Sequence, residues 1–165
     1  MKIGYVKISE RGEMNRLLAG LAADLAAEGV ALAGAVQHDI ECAPEGKCDM
    51  DLQILPAGPV VRISQNLGKD SRGCRLDPVA LEQAVGLTEA QLNDAAPKLV
   101  IINKFGKHEA EGRGFRSTIA LALELEVPVL VGVNETNFAA FQDFTGGAAE
   151  QAGDSPAALR AWLAN

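Results

Sequence analysis

Short apolar runs alternate with stretches of helical spacing along most of the chain. Positions 3–8 alternate apolar and polar and carry Ile, Tyr and Val, which predicts a first strand. After the polar turn Ser9-Glu10-Arg11-Gly12, residues Met14, Leu17, Leu18, Leu21, Leu25 and Ala26 recur on one helical face, and Gly29 closes that helix. A second strand is predicted over 30–36. A crossover through a helix makes the two strands parallel.

Residues 38–46 have no periodicity and hold Pro44 and Gly46, which predicts a loop. Runs at 50–55 and 60–65 flank Pro56-Ala57-Gly58-Pro59 and predict a β-hairpin inserted after the second strand. A polar, glycine-bearing loop follows over 66–77. Asp77 then reads as an N-cap and Pro78 as the first turn of a helix reaching about Leu92. Leu99-Val100-Ile101-Ile102 is a run suited to a strand buried on both faces, within a strand predicted over 98–103. A loop over 104–114 leads to a helix over 115–125 and another buried strand over 127–133. Phe138, Phe141 and Phe144 fall on a short helix ending at Gly146-Gly147, and Ser155-Pro156 starts a last helix that Trp162 packs down. The alternation predicts a single α/β domain over 1–165: a three-layer, doubly wound, mostly parallel sheet with an inserted hairpin.

Composition refines this picture. Apolar residues make up 48% but aromatics only 4%, so the core must be aliphatic. The net charge of −7 argues against binding nucleic acid or anionic membrane, both of which need a basic face. The N-terminal residues read as a strand and not as a signal core, and no apolar run suits a membrane span, so the expected location is the cytoplasm. The three cysteines, an odd count, disfavour a disulfide framework. Oligomeric state is open: Phe138 and Phe141 suit a homo-oligomer surface as well as the core.

Ligands of such folds bind where the strands end at their carboxyl side, which nominates the loops at 9–13, 37–46, 103–114 and 134–136. A phosphate-gripping loop would read G-x-x-x-x-G-K-[ST] between the first strand and helix, with Lys on the phosphates and Ser or Thr on Mg²⁺. Here that segment reads Val6-Lys7-Ile8-Ser9-Glu10-Arg11-Gly12-Glu13-Met14-Asn15, with one glycine and no Gly-Lys-Ser/Thr. The helix N-terminus still favours an anion, but Glu10 and Glu13 oppose it. After the central strand, a hydrolysing enzyme would place an Asp, often with a Glu, to hold Mg²⁺ and water; this chain has Asn103 and Lys104. Glycines at 106, 112 and 114 punctuate the loop that follows.

The most unusual stretch gathers Arg62, Ser64, Gln65, Ser71, Arg72, Gly73, Cys74 and Arg75. Arginine forks suit phosphate or another tetrahedral oxyanion. The alternative is a solvated face, with Arg75 pairing Asp77. His38, Cys42, Cys48 and Cys74, with Asp39, Asp49 and Asp51, form a mixed set of metal-ligating types whose spacing fits no cage.

The segments Cys48-Asp49-Met50, Arg62-Ile63-Ser64-Gln65-Asn66-Leu67-Gly68 and Ser71-Arg72-Gly73-Cys74-Arg75-Leu76-Asp77 resemble the bacterial family catalogued as domain of unknown function 2478. Asn103-Lys104-Phe105-Gly106-Lys107, then Glu109-Ala110-Glu111-Gly112, and Phe144-Thr145-Gly146-Gly147 extend the resemblance over nearly the whole chain. That family is in turn similar to P-loop nucleoside triphosphatases whose strand ends in Asp-Glu-x-Gly with a Glu soon after. The comparable residues are Asn103, Lys104, Gly106 and Glu109. The Gly-Lys-Thr-Thr of those enzymes falls near Glu13, Met14, Asn15 and Arg16. The resemblance implies a P-loop-like fold with degenerate nucleotide-binding motifs. It also implies a setting beside molybdenum transport or nitrogen fixation in bacteria, which makes molybdate a candidate ligand.

The function expected from these readings is non-hydrolytic binding of a small anion, either a phosphate-bearing molecule such as a nucleotide or an oxyanion such as molybdate. Arg62, Arg72 and Arg75 would supply charge, and Ser64, Gln65 and Ser71 hydrogen bonds beside Gly73. Asn103, Lys104 and Arg113 would reach in from the neighbouring loop. One alternative is a divergent nucleoside triphosphatase or phosphotransferase with Lys7 or Lys104 on the phosphates and Glu109 as base. Another is a thiol-based metal-binding or redox-sensing protein built on Cys42, Cys48 and Cys74.

Overall fold

The computed structural model describes residues 1–40, 42, 44, 47–65, 68 and 75–165. Its elements follow the order β1 (Ile3–Val6), α1 (Glu13–Ala27), β2 (Leu32–Ile40), β3 (Asp49–Ile54), β4 (Val60–Arg62), α2 (Pro78–Ala95) and β5 (Leu99–Phe105). They continue with α3 (Lys107–Ala110), α4 (Arg116–Glu124), β6 (Val129–Val133), α5 (Glu135–Thr145), β7 (Glu150–Gln151) and α6 (Pro156–Ala164). Among the described residues the strands form one sheet in the order β4-β3-β2-β5-β6-β1-β7. The five strands from β2 to β7 in that order are mutually parallel, and β3 and β4 run antiparallel at one edge.

The central strands carry the apolar runs that burial on both faces demands. β5 begins Leu99-Val100-Ile101-Ile102, all at most 2% exposed, and β6 is buried throughout. One face packs α1 and α6 through Leu18, Leu21, Leu159 and Trp162. The other packs α2, α4 and α5 through Leu81, Val85, Ile119 and Phe141. The aromatic cluster of α5 belongs to this second layer. Phe141 is fully buried, Phe138 packs tilted against Tyr5 with ring centroids 5.0 Å apart, and Phe144 lies 5.7 Å from Phe105. Phe141 is thus spent on the core, whereas Phe138 and Phe144 are half-buried against it.

Caps fix the helix starts. Asp77 accepts from the N–H groups of Val79 and Ala80, with Pro78 in the first turn; Asn134 and Ser155 cap α5 and α6 in the same way.

The structure departs from the sequence pattern at the edge hairpins. Residues 38–40 are not loop. They extend β2, which pairs antiparallel with β3 in the register Gln37↔Leu52, His38↔Asp51, Asp39↔Met50 and Ile40↔Asp49. Past Val36 this strand is exposed on both faces, at His38 and Asp39, which hides it from a search for apolar runs. The helix α3 was also expected to be loop, because its four residues are too few for periodicity to show.

Candidate functional site

Helix α1, after β1, lies on one face of the sheet, whereas the helices after β5 and β6 lie on the other. A crevice therefore opens between the β1–α1 loop and the loops after β5 and β6, where doubly wound sheets hold ligands. A cleft of about 440 Å³ occupies it, bounded by the turn Ile8–Gly12, the end of β2 and residues of the β3 approach.

Gly12 forms the floor of this turn. Its φ of +78° is the left-handed conformation that glycine adopts without strain, and no side chain caps the N-terminus of α1. Glu13, expected to repel an anion here, is turned onto Arg16 at 2.5 Å. Lys7 is held by Glu135 at 2.7 Å and lies over the Phe138 ring. It does not line the cleft, which removes it as a substitute for a phosphate-binding lysine.

Met14 occupies the position comparable to that lysine. It is buried in the α1 face of the sheet and approaches Gly132, where an added Cβ would stand 3.0 Å from Met14 Cε and overlap the Asn103 carbonyl. Gly132 thus lets β6, α1 and β5 close on one another. The adjoining ladder shifts register: Ile102 pairs with Val131 but Phe105 with Val133, so β5 carries an extra residue as a bulge at Asn103-Lys104. Bulges re-aim side chains beside binding sites. Here Asn103 is buried at 3% exposure while Lys104 is exposed at the cleft.

Asn103 and Asn15 then decide what the site can hold. In a working P-loop enzyme the Ser or Thr of the loop and the Asp at the strand end both serve Mg²⁺. The comparable side chains here are amides bonded to each other: Asn103 Nδ2 donates to Asn15 Oδ1 at 2.9 Å, and Asn103 Oδ1 accepts from Gln37 N–H at 3.0 Å. Asn15 Nδ2 donates in turn to Asp39 at 3.0 Å. The amides satisfy each other, and neither position supplies the negative charge a hard dication prefers.

The cleft is nevertheless cationic. Arg11, Lys47, Arg75 and Lys104 line it against Glu10 and Asp39. Arg11, Lys47 and Lys104 have no salt-bridge partner among the described residues. Arg75 donates to the Cys48 carbonyl at 2.8 Å and to Asp49 at 3.3 Å.

The arginine-rich stretch is brought together only in part. Arg62, on edge strand β4, pairs with Asp51 at 2.9 Å and Asp49 at 3.4 Å and lines neither this cleft nor its neighbour. Arg62 and Arg75 thus converge on Asp49, and a carboxylate holds the place where an anion was expected. Asp77, the other expected partner of Arg75, caps α2 instead. Ser64 is buried, accepting from Met50 N–H and donating to Asp49. Gln65 clamps the base of its loop, its N–H on the Arg75 carbonyl and its side-chain amide on that of Leu76. Ser71, Arg72, Gly73 and Cys74 lie outside the described residues. Arg113 pairs with Glu111 and lines neither cleft.

Two of the cysteines considered as metal ligands are joined to each other, while Cys74 lies outside the described residues. Cys42 and Cys48 form a disulfide, with Cα atoms 4.0 Å apart. The antiparallel return of β3 along β2 brings the ends of the connecting loop together, and a disulfide leaves no thiolate to ligate a metal. An odd cysteine count leaves one thiol over; it does not forbid the other two from pairing. His38 bonds Gln53 across the same strands at 3.0 Å, and no group of three His, Cys, Asp or Glu residues suits a metal among the described residues.

A second cleft of about 370 Å³ adjoins the first and shares Gln37, Met50, Arg75, Lys104 and Asn134 with it. Its walls are mainly apolar: Leu52, Ile63, Leu76, Leu81 and Phe115. Glu109 stands among the lining residues at 4% exposure. Burial pushes its carboxyl up to about 7 from 4.5, assisted by the charge of Glu82 and opposed by the N–H groups of Gly106 and Glu109 itself and by Lys104. Reaching back to the N-cap N–H of Gly106 is the capping-box role of a third-position glutamate, so one function of Glu109 is to hold α3. Its Oε2 has no hydrogen-bond partner.

Comparison with known proteins agrees with this architecture. The family described as protein of unknown function (DUF2478) matches residues 3–162. The chain belongs to that family. This chain is also similar to the molybdenum import ATP-binding protein ModC 2 of Bradyrhizobium diazoefficiens, 35% identical over 147 residues. The match covers 88% of this chain and spans only 16% of that protein's length. Among solved structures, a human cancer-related nucleoside triphosphatase superposes with a TM-score of 0.61 at 16% identity, covering 92% of this chain and 87% of that one. The fold of this DUF2478 protein is therefore that of a P-loop nucleoside triphosphatase. Among its described residues no helix is long and apolar enough to cross a membrane.

Proposed function

We propose that this DUF2478 protein binds a phosphate-bearing molecule or a tetrahedral oxyanion in the strand-end cleft and does not hydrolyse it. The Asn15–Asn103 amide pair carries the reading. It fills the positions that would hold Mg²⁺, directly beside a cleft whose cations outnumber its carboxylates. Arg75 and Lys104 remain from the sequence expectation, joined by Arg11, Lys47 and the uncapped N-terminus of α1. Molybdate is one candidate, because the ModC 2 relative is named for molybdenum import.

Isothermal titration with ATP, inorganic phosphate, molybdate and tungstate tests the proposal. Saturable binding of at least one of them, without Mg²⁺-dependent phosphate release from ATP, is the expected result; absence of binding to all four removes it. A phosphotransferase reading draws on Glu109, whose raised affinity for a proton suits a general base near neutral pH. Phosphate release from ATP abolished by Glu109→Gln would establish that reading instead.

A further inference from the structure

The Cys42–Cys48 disulfide stands in the wall of the cationic cleft, which Lys47, Cys48 and Met50 line in succession. The ladder between β2 and β3 ends at the pair Ile40↔Asp49, so residues 47 and 48 lie just beyond the last strand pairing. The disulfide ties this segment back toward the end of β2, across a sequence separation of six. Two of the four cleft cations depend on the tied segment. Lys47 belongs to it, and Arg75 is aimed by it, through the bond to the Cys48 carbonyl at 2.8 Å and the pair with Asp49 at 3.3 Å. Arg11 and Lys104 reach the cleft from the β1–α1 turn and from β5, elements the disulfide does not join. Neither cysteine is among the residues of the two apolar cores, so breaking the bond frees the segment without removing core contacts. Cys42 is exposed and Cys48 half-buried, which leaves one end of the bond open to a soluble thiol.

We propose that this disulfide is a thiol-exchange site that sets the affinity of the strand-end cleft: the oxidised protein holds the anion, and reduction by a dithiol weakens the hold. The inference rests on the anion reading above and adds its control. In the first step a thiolate of the dithiol attacks Cys42 Sγ. The electron pair of the S–S bond leaves on Cys48 Sγ, which takes a proton from solvent. The second thiolate of the reductant then attacks the reductant's sulfur in the mixed disulfide. Cys42 is released and protonated, and the reductant departs as a cyclic disulfide. Two electrons and two protons have passed to the protein. Oxidised glutathione reverses the exchange and leaves as two thiols. Once the tie is cut, the covalent restraint on residues 47 and 48 is gone. Binding must then also order Lys47 and Arg75, which lowers affinity. Linkage makes the effect reciprocal: the factor by which reduction weakens anion binding is the factor by which saturating anion protects the disulfide from reduction.

Calorimetric titration with inorganic phosphate, molybdate, tungstate and ATP tests this on oxidised protein, on protein reduced with dithiothreitol and desalted under nitrogen, and on reduced protein reoxidised with oxidised glutathione. A Cys74→Ser background leaves Cys42 and Cys48 as the only cysteines, and the wild type, treated identically, decides if that variant does not fold. Reduction should weaken the tightest-binding of the four by about tenfold, the scale of ordering one or two long side chains, and reoxidation should restore it. The Cys42→Ser, Cys48→Ser protein should bind as the reduced form does and not respond to dithiothreitol. Lys47→Ala should weaken the oxidised protein and narrow the gap between oxidised and reduced forms, which a general loosening of the fold would not do; an undiminished gap contradicts the proposal. Affinities within about twofold in the two redox forms overturn it and leave the anion reading standing. Loss of the near-UV circular dichroism on reduction also overturns it, because the bond then serves the fold and not the cleft. No binding of any of the four to the oxidised protein overturns both.

Discussion

Two regions of this DUF2478 protein place basic side chains near one another or near carboxylates, and they use the charge in opposite ways. On the β3–β4 edge, Arg62 is matched to Asp49 and Asp51 on the neighbouring strand, and Ser64 and Arg75 also donate to Asp49. In the strand-end cleft, Arg11, Lys47 and Lys104 line one cavity in which Glu10 and Asp39 are the carboxylates among the lining residues. The first region is a cross-strand ion-pair network, which stabilises a sheet edge and needs no ligand. The second holds like charges together near a helix N-terminus, an arrangement that an anion relieves. Counting basic residues in the sequence favours the first region. Asking which charges lack partners favours the second.

The strongest disturbance of this contrast should come from Gly132→Val. A side chain there would overlap the Asn103 carbonyl and crowd Met14, and so undo the bulge that separates buried Asn103 from exposed Lys104. Denaturant unfolding should show a loss of more than about 3 kcal/mol, the scale of severe overpacking in a core.

Glu109→Gln sharpens the comparison next, because it removes a buried carboxyl from the cleft that adjoins the cationic one. The native protein holds the Glu109 proton more tightly than the unfolded chain, with a midpoint raised from 4.5 to about 7. The stability linked to this proton is fully present below pH 4.5 and is lost as the pH rises through 7. The loss amounts to about 3 kcal/mol from the size of the shift. Glutamine keeps a capping oxygen and cannot ionise. The variant should therefore be more stable than wild type at pH 8 and no more stable at pH 4, as read by unfolding midpoints at both values. Lys104 and Glu82 face the same carboxyl, and their charges modulate the size of the effect without reversing its sign.

Cys48→Ser tests the hinge between the regions, since the Cys48 carbonyl receives Arg75 and the Cys48 sulfur is bonded to Cys42. Loss of this short-loop cross-link should cost about 2 kcal/mol of stability on chain-entropy grounds. Reductant should lower the unfolding midpoint of the wild type and leave the variant unmoved. The smallest effect belongs to Arg62→Ala. Removing a half-exposed ion pair should change stability by less than about 1 kcal/mol.

Much of the layer architecture was legible because it follows from burial. Leu99-Val100-Ile101-Ile102 announces a central strand by being apolar on both faces, and Asp77-Pro78 announces a helix start by the chemistry of its cap. The site was less legible because its geometry depends on pairings distant in sequence. Nothing near Arg62 indicates that Asp49 and Asp51 will lie across from it; the register of β3 against β4 decides that. Arg11 and Lys47 look like ordinary loop residues until the β1 turn and the approach to β3 are brought to one cleft. The Asn15–Asn103 bond spans two loops, although its meaning was accessible in outline: both positions depart from the P-loop pattern together, each to an amide. Gly132 could have been noticed as the glycine interrupting an otherwise β-branched and leucine run, a signal of close backbone approach.

The central claim is that unpaired charge in the strand-end cleft, and not the arginine of the β3–β4 edge, recognises the anion. Calorimetric titration of wild type, Lys104→Ala and Arg62→Ala with the tightest-binding anion tests it most directly. Lys104→Ala should weaken binding by about tenfold or more, as expected for a lost charge-assisted contact, while Arg62→Ala should stay within about twofold of wild type. The opposite pattern, with Arg62→Ala weakened and Lys104→Ala unchanged, would contradict the account.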